Sequence, residues 1–139
     1  MRKRYGIVIM LLLVATSLFA RGHGETVENE MLIDVDRLEA LIGESRITIL
    51  DIRDQASYRK GHIPGAELLT LVEIEQRGTL YIDLGNPIVT YCSCPAEESS
   101  LSAALKLRDL GADTIYVLLG GYAAWEGKRN PIVTGSNPN

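Results

Sequence analysis

The 139-residue sequence contains little of several residue types, and two of these shortages each argue against a kind of partner. It has two histidines, two cysteines, one phenylalanine and one tryptophan, and its 14 Lys and Arg are outnumbered by 18 Asp and Glu. The net charge of −4 lacks the clustered positive charge by which proteins neutralise phosphates, so we expect no nucleic-acid partner. Two cysteines with His62, and His23 near the start of the chain, make a poor set of zinc ligands, so we expect no metal.

The first twenty residues have the pattern of a secretory signal. Three positive residues at 2–4 precede an apolar stretch at 7–20 that only Thr16 and Ser17 interrupt. The stretch is shorter than the ~20 residues that cross a bilayer. We predict a signal peptide at 1–20 and a periplasmic or secreted protein. An uncleaved membrane anchor is the alternative, because Leu18 is larger than the residue usual before a cleavage site.

The rest of the chain has room for one domain with a modest core. We predict a linker at 21–31, the domain at 32–135 and a tail at 136–139. Apolar runs at 47–52, 88–91 and 114–119 predict strands, and helical spacing or capping residues predict helices that begin near 34–36, 54, 70, 99 and 121. The first helix is expected to stop at Gly43, and the helix at 99–110 at Gly111, with Leu110 on its buried face. This alternation predicts an α/β domain with a parallel sheet and a ligand site at the carboxyl ends of its strands.

The two cysteines, Cys92 and Cys94, follow the predicted strand at 88–91. A disulfide at this spacing needs a strained turn and closes almost no loop, so a structural bridge is a poor explanation. A cysteine between a strand and a helix N-terminus faces unpaired backbone N–H groups that stabilise a thiolate. Cys92 is therefore expected to have a pKa below the free value of about 8.5, although a buried and inert cysteine is an equal alternative on position alone.

Five ordered segments resemble the motifs of rhodanese domains. They are Ile-Leu-Asp-Ile-Arg at 49–53, Tyr-Arg-Lys-Gly-His-Ile-Pro-Gly-Ala at 58–66, Ile-Val-Thr-Tyr-Cys at 88–92, a Gly-Gly-Tyr-Ala-Ala-Trp segment within 116–125, and Asn-Pro-Ile-Val-Thr-Gly at 130–135. The resemblance covers residues 33 to 135. It implies a single domain with a five-stranded parallel sheet flanked by helices, and a sulfurtransferase that needs no cofactor.

The resemblance also implies roles for individual residues. Cys92 would accept sulfane sulfur as a persulfide from a small donor or a protein persulfide and pass it to a thiol acceptor. The loop after it would bind the substrate, and supporting contacts would come from Asp51, Arg53 and His62. The predicted substrate-binding residues are Ser93, Pro95, Ala96, Glu97, Glu98 and Ser99.

The active-site loop departs from the family pattern in its length. The strand end favours Cys92 as the nucleophile, whereas counting back from Gly111 places Cys94 at the usual distance from the helix. We prefer Cys92, because the sheet fixes strand ends and loops absorb insertions. Cys94 could instead attack a persulfide on Cys92, release sulfide and leave a disulfide, or lie unreactive in the loop wall.

The loop also lacks the Arg or Lys that many thiosulfate-using members carry, and has Glu97 and Glu98 instead. These carboxylates would disfavour a dianionic donor, or would simply complement the dipole of the helix that follows. Without an Arg between Cys92 and Ser100, the loop lacks the phosphate-binding residue of a cysteine phosphatase. Two alternatives to a sulfurtransferase stay open: a catalytically inactive binding module and a Cys-x-Cys thiol redox protein.

Overall fold

The computed structural model describes residues 30–44, 46–77 and 82–139. The predicted signal peptide, and the predicted linker up to residue 29, lie outside these residues. Within the described part of the chain, no helix is long and apolar enough to cross a membrane.

A five-stranded, fully parallel sheet forms the centre of the domain at 32–139, as predicted. Its strand order is β1-β5-β4-β2-β3. All four residues of β4 are buried, and this strand lies between β2 and β5. Burial on both faces explains why the central strands are apolar without alternation. The strands are β1 Leu32–Ile33, β2 Thr48–Asp51, β3 Ala66–Leu68, β4 Ile88–Tyr91 and β5 Ile115–Leu118.

Among residues 32–44, 46–77 and 82–139, five helices connect or follow the strands, and three of them begin at caps visible in the sequence. Asp34 and Asp54 each accept a hydrogen bond from the backbone N–H three residues later, at 2.8 and 3.0 Å. Thr70 and Glu73 form a reciprocal capping box. The helices are α1 Val35–Gly43, α2 Gln55–Lys60, α3 Leu71–Arg77, α4 Glu98–Asp109 and α5 Gly121–Gly127.

The predicted end of α1 was wrong, and the predicted bounds of α4 differ from the structure by one residue at each end. α1 continues through Gly43, and its cap is Glu44, whose N–H donates to Ala40 O. α4 begins one residue earlier than predicted and ends at Asp109, so Leu110 is 38% exposed and does not share the buried face. Gly111, at φ +106°, turns the chain away from the helix there.

The C-terminal residues are bound to the domain by backbone hydrogen bonds. Trp125 is buried, and its Nε1 donates to Pro131 O at 2.8 Å. Within the predicted tail, Pro138 O accepts from Gly65 N at 2.7 Å. These contacts hold the end of the chain against the turn that precedes β3.

Candidate active site

Cys92 is the first residue after β4, and its backbone is held against the start of α5. Its carbonyl accepts a hydrogen bond from Tyr122 N at 3.0 Å. The approach is so close that a Cβ on Gly121 would lie 2.0 Å from Cys92 O. With φ at +52°, Gly121 also has a backbone conformation that favours glycine. The glycine pair of the C-terminal motif therefore fixes the position of the reactive loop.

Two donors reach the sulfur of Cys92. The N–H of Cys94 lies 3.2 Å from Cys92 Sγ, and the hydroxyl of Ser100 lies 3.4 Å away. Ser100 is fully buried in the first turn of α4 and was absent from the predicted site. The sequence held a signal for it, because side chains in a first helical turn point back toward the N-terminus and so toward the preceding loop.

Of the two alternatives for Cys92, its burial favours the less acidic thiol. Burial raises the pKa of the Cys92 thiol, since the side chain is 2% exposed, and the hydrogen bond from Ser100 opposes this only in part. The Ser100 hydroxyl has one hydrogen, and Glu97 O competes for it at 2.9 Å. The hydrogen bonds from Ser100 and from the Cys94 N–H therefore do not offset the loss of solvent.

Cys94 is the more acidic of the two thiols. It is half-buried, and its Sγ lies 3.1 Å from Ser99 Oγ. Hydrogen bonding to Ser99, and then to Cys92, lowers the pKa of Cys94, while burial and the charge of Glu98 oppose the shift. Both cysteines are free thiols, and the backbone N–H of Cys94 contacts the sulfur of Cys92. The loop therefore holds two unequal thiols, the deeper one less acidic.

Glu97 and Glu98 have different positions. Glu97 is the N-cap of α4 with φ +53°, and its Oε1 accepts from Gly120 N at 2.7 Å. This bond joins the reactive loop to the turn before α5. Glu98 is exposed in the first turn of α4, where a carboxylate complements the helix dipole.

The remaining loop residues predicted to bind substrate lie on its outer side. Ser93, Pro95 and Ala96 are exposed, and Ser99 is half-buried beside Cys94. Among the loop amides at 93–99 for which a hydrogen bond is described, that of Cys94 is directed at Cys92 Sγ. Pro95 has no N–H to contribute.

A buried ion pair supports the floor of the site. The Asp51 carboxylate, with no exposed surface, accepts from Arg53 Nε at 2.9 Å and from Tyr91 Oη at 2.7 Å. Arg53 also donates to Gly61 O at 2.7 Å and lies over the ring of Tyr122, 4.1 Å from its centroid. Burial and the Asp51 charge raise the pKa of Tyr91. This cluster joins the ends of β2 and β4 to α5.

His62 is fully buried, and its described contacts are with residues other than Cys92 and Cys94. Its ring stacks on Tyr58 at 3.7 Å, and its nitrogens lie 2.9 Å from the carbonyl oxygens of Tyr58 and Asn137. Its backbone exchanges two hydrogen bonds with Val133. Across 30–44, 46–77 and 82–139, no group of three or more His, Cys, Asp or Glu is placed to hold a metal ion.

Comparison with known proteins agrees with this geometry. The chain is 34% identical over 94 residues to the thiosulfate sulfurtransferase GlpE of Pseudoalteromonas translucida, covering 68% of this chain and 87% of that protein. The rhodanese-like domain of the Alr3790 protein from Anabaena superposes with a TM-score of 0.67 at 29% identity, over 76% of this chain and 80% of that one. The BH2092 protein of Bacillus halodurans gives a TM-score of 0.70 at 25% identity, over 87% and 88% of the two chains.

Residues 34–128, which include β2 to β5 and the reactive loop, match the sequence profile of the rhodanese-like domain. The five-stranded parallel sheet flanked by helices is the architecture of these relatives. The chain belongs to the family of rhodanese-like domains.

Proposed function

We propose that this protein is a sulfurtransferase in which Cys92 carries sulfane sulfur as a persulfide. The observation that carries the proposal is the position of Cys92 Sγ, at the end of β4 with the Cys94 N–H and the Ser100 hydroxyl directed at it. Its relatives in Pseudoalteromonas translucida and Coxiella burnetii, 34% and 33% identical, are thiosulfate sulfurtransferases by name.

The proposed reaction consists of two thiol exchanges. A thiolate of the protein attacks the outer sulfur of the donor. The bond between that sulfur and the rest of the donor breaks, and the rest of the donor leaves with the electron pair. The thiolate of an acceptor then attacks the outer sulfur of the enzyme persulfide and regenerates the free cysteine. Both steps proceed without net oxidation. The Ser100 hydroxyl and the Cys94 N–H stabilise the anionic sulfur on Cys92.

Mass spectrometry tests the proposed function directly. After incubation with sulfane donors in the absence of reductant, we expect the protein to gain the mass of one sulfur atom, located on Cys92 by fragmentation. The double variant Cys92→Ser/Cys94→Ser is the control and should gain nothing. An unmodified wild-type protein after exposure to several donors would exclude the sulfurtransferase.

That negative result would favour a second candidate, a catalytically inactive binding module. One observation supports it: burial raises the pKa of Cys92 and leaves its sulfur poorly accessible in this conformation. Such a module would bind a small thiol or a protein partner through the loop without forming a persulfide.

We further propose that the donor is neutral or is a protein-bound persulfide. Thiosulfate is a dianion, the loop holds the carboxylates of Glu97 and Glu98, and no Lys or Arg occurs between residues 92 and 100. We expect kcat/KM for thiosulfate to be at least about tenfold below that for an organic persulfide, whose sulfur group carries at most one negative charge, because like charge lowers the rate of encounter.

Removing one charge, or screening the charges with salt, tests this specificity. Glu98→Gln, which alters an exposed side chain, should raise the ratio of thiosulfate to organic-persulfide activity, and high salt should raise it in the wild type as well. Equal kcat/KM values for both donors in the wild type would contradict the proposal.

We also propose that the protein acts in the periplasm or outside the cell. The support is the pattern of residues 1–20, a positive start followed by a short apolar stretch. Its partners would be a small sulfur donor and a thiol acceptor.

A further inference from the structure

Two consecutive serines at the start of α4 are each paired with one of the two cysteines. Ser99 Oγ lies 3.1 Å from Cys94 Sγ, and Ser100 Oγ lies 3.4 Å from Cys92 Sγ. The Cys94 N–H also donates to Cys92 Sγ at 3.2 Å. The loop therefore gives each thiol its own hydroxyl partner and holds the backbone of Cys94 against the sulfur of Cys92.

The two thiols differ in their access to a donor. The attacking thiolate must approach the outer sulfur of the donor along the line of the sulfur–sulfur bond that breaks. This approach requires open space in front of the thiolate. Cys92 is 2% exposed, whereas Cys94 is half-buried on the solvent side of the loop. An incoming donor therefore meets Cys94 before it meets Cys92.

We propose, building on the proposed function, that Cys94 is a second catalytic residue: sulfane sulfur enters the site through Cys94 and is then passed to Cys92, which stores it. In the first step the Cys94 thiolate attacks the outer sulfur of a donor R–S–SH. This forms Cys94–S–SH and releases the thiolate R–S⁻.

In the second step Cys92 attacks the outer sulfur of Cys94–S–SH. The bond between Cys94 Sγ and that sulfur breaks, and Cys94 leaves as a thiolate. Cys92 becomes Cys92–S–SH, and the proton of its thiol passes to the Cys94 thiolate. Two sulfur–sulfur bonds break and two form over both steps, so no oxidant or reductant is needed.

The acidities of the two thiols favour this direction. The more acidic thiol is the better leaving group and has the larger thiolate fraction, while the more basic thiol retains the transferred sulfur. Hydrogen bonds to Ser99 and Cys92 lower the pKa of Cys94, and burial raises that of Cys92. Glu98 is the charged group that opposes the acidity of Cys94, and the carboxylate of Glu97 is held by Gly120 N.

The alternative attack, on the inner sulfur, would give a Cys92–Cys94 disulfide and free sulfide. A bridge between residues two apart needs a strained loop. Transfer of the outer sulfur avoids this strain, because the two cysteines never become directly bonded.

Rapid trapping with an alkylating agent, followed by tandem mass spectrometry, tests the relay. Cys92→Ser should still gain a persulfide on Cys94, and faster than Cys94→Ser gains one on Cys92. Cys94→Ser should gain one on Cys92 at least about tenfold more slowly, with a pH-rate profile displaced to higher pH, because the less acidic thiol must then ionise to attack. Cys94→Ala should behave as Cys94→Ser does.

A relocated thiol is the control. Cys94→Ser/Ser102→Cys restores the number of thiols on an exposed residue of α4, and we expect it to stay as slow as Cys94→Ser. If Cys94→Ser gained a persulfide on Cys92 at the wild-type rate, the relay would be overturned and the proposed function would stay intact. The same would follow from a folded Cys92→Ser that gains no persulfide, or from a wild type that forms a disulfide and releases sulfide. A wild type that gains no sulfur would overturn both proposals.

Discussion

Replacing Asp51 with asparagine is expected to lower the free energy of unfolding by about 3–5 kcal/mol, the usual cost of removing one partner from a buried ion pair. The Arg53 side chain is only 7% exposed and Asp51 is fully buried. Burial alone would lower the pKa of Arg53, but the hydrogen bond and charge of Asp51 raise it. The Asp51 carboxylate therefore stabilises the buried charge of the guanidinium. Tyr91 Oη would also lose an acceptor at 2.7 Å.

Equilibrium urea unfolding of the purified protein measures this loss. The matched control is Asp36→Asn, which makes the same chemical change in an exposed ion pair with Lys128. We expect the control to unfold at the wild-type midpoint, because solvent screens exposed pairs. Equal midpoints for Asp51→Asn and Asp36→Asn would show that the buried pair does not support the site.

Replacing Gly121 with alanine is expected to cost about 3 kcal/mol or more, since the left-handed backbone alone accounts for about 1–3 kcal/mol in other residues. The added Cβ would lie 2.0 Å from Cys92 O and 3.0 Å from Cys92 C. These are backbone atoms at the end of the central strand, so they cannot rotate away as a flexible side chain would. The loop that carries both thiols would have to move.

The comparison that isolates this effect is Gly127→Ala at the other end of α5. A Cβ at Gly127 meets nothing within 4 Å, and its φ is not positive. We expect the control to equal the wild type or to be slightly more stable, by about 0.4–1 kcal/mol, because alanine restricts the unfolded chain. Indistinguishable unfolding midpoints for the two variants would contradict the close packing of α5 on Cys92.

Much of the fold could be predicted from the sequence because its signals are local. Asp34, Asp54 and Thr70 were visible as caps, and each starts a helix in the structure. The apolar run at 88–91 is β4 with the predicted bounds. β1 and β3, with two and three residues, are too short for a periodic pattern, so they followed only from the family resemblance.

The helix ends were harder, since an end depends on which carbonyls find partners and not on one residue type. Gly43 was expected to stop α1, yet it lies inside the helix and Glu44 takes the cap. Leu110 fits the apolar spacing of α4, but it is the C-cap of the helix and is 38% exposed. Spacing alone does not show where the hydrogen-bond ladder stops.

By itself the sequence determined that the protein is an α/β domain with Cys92 at the end of a buried strand and Cys94 in the following loop. A strand end, a turn and a helix start are encoded by neighbouring residues, so the position of the cysteine was predictable. Only the tertiary structure decided the relative acidity of the thiols. It depends on how deeply α4 and α5 bury Cys92, and on Ser99 and Ser100 each facing a different sulfur. These are packing distances between separate elements, which local sequence signals do not contain.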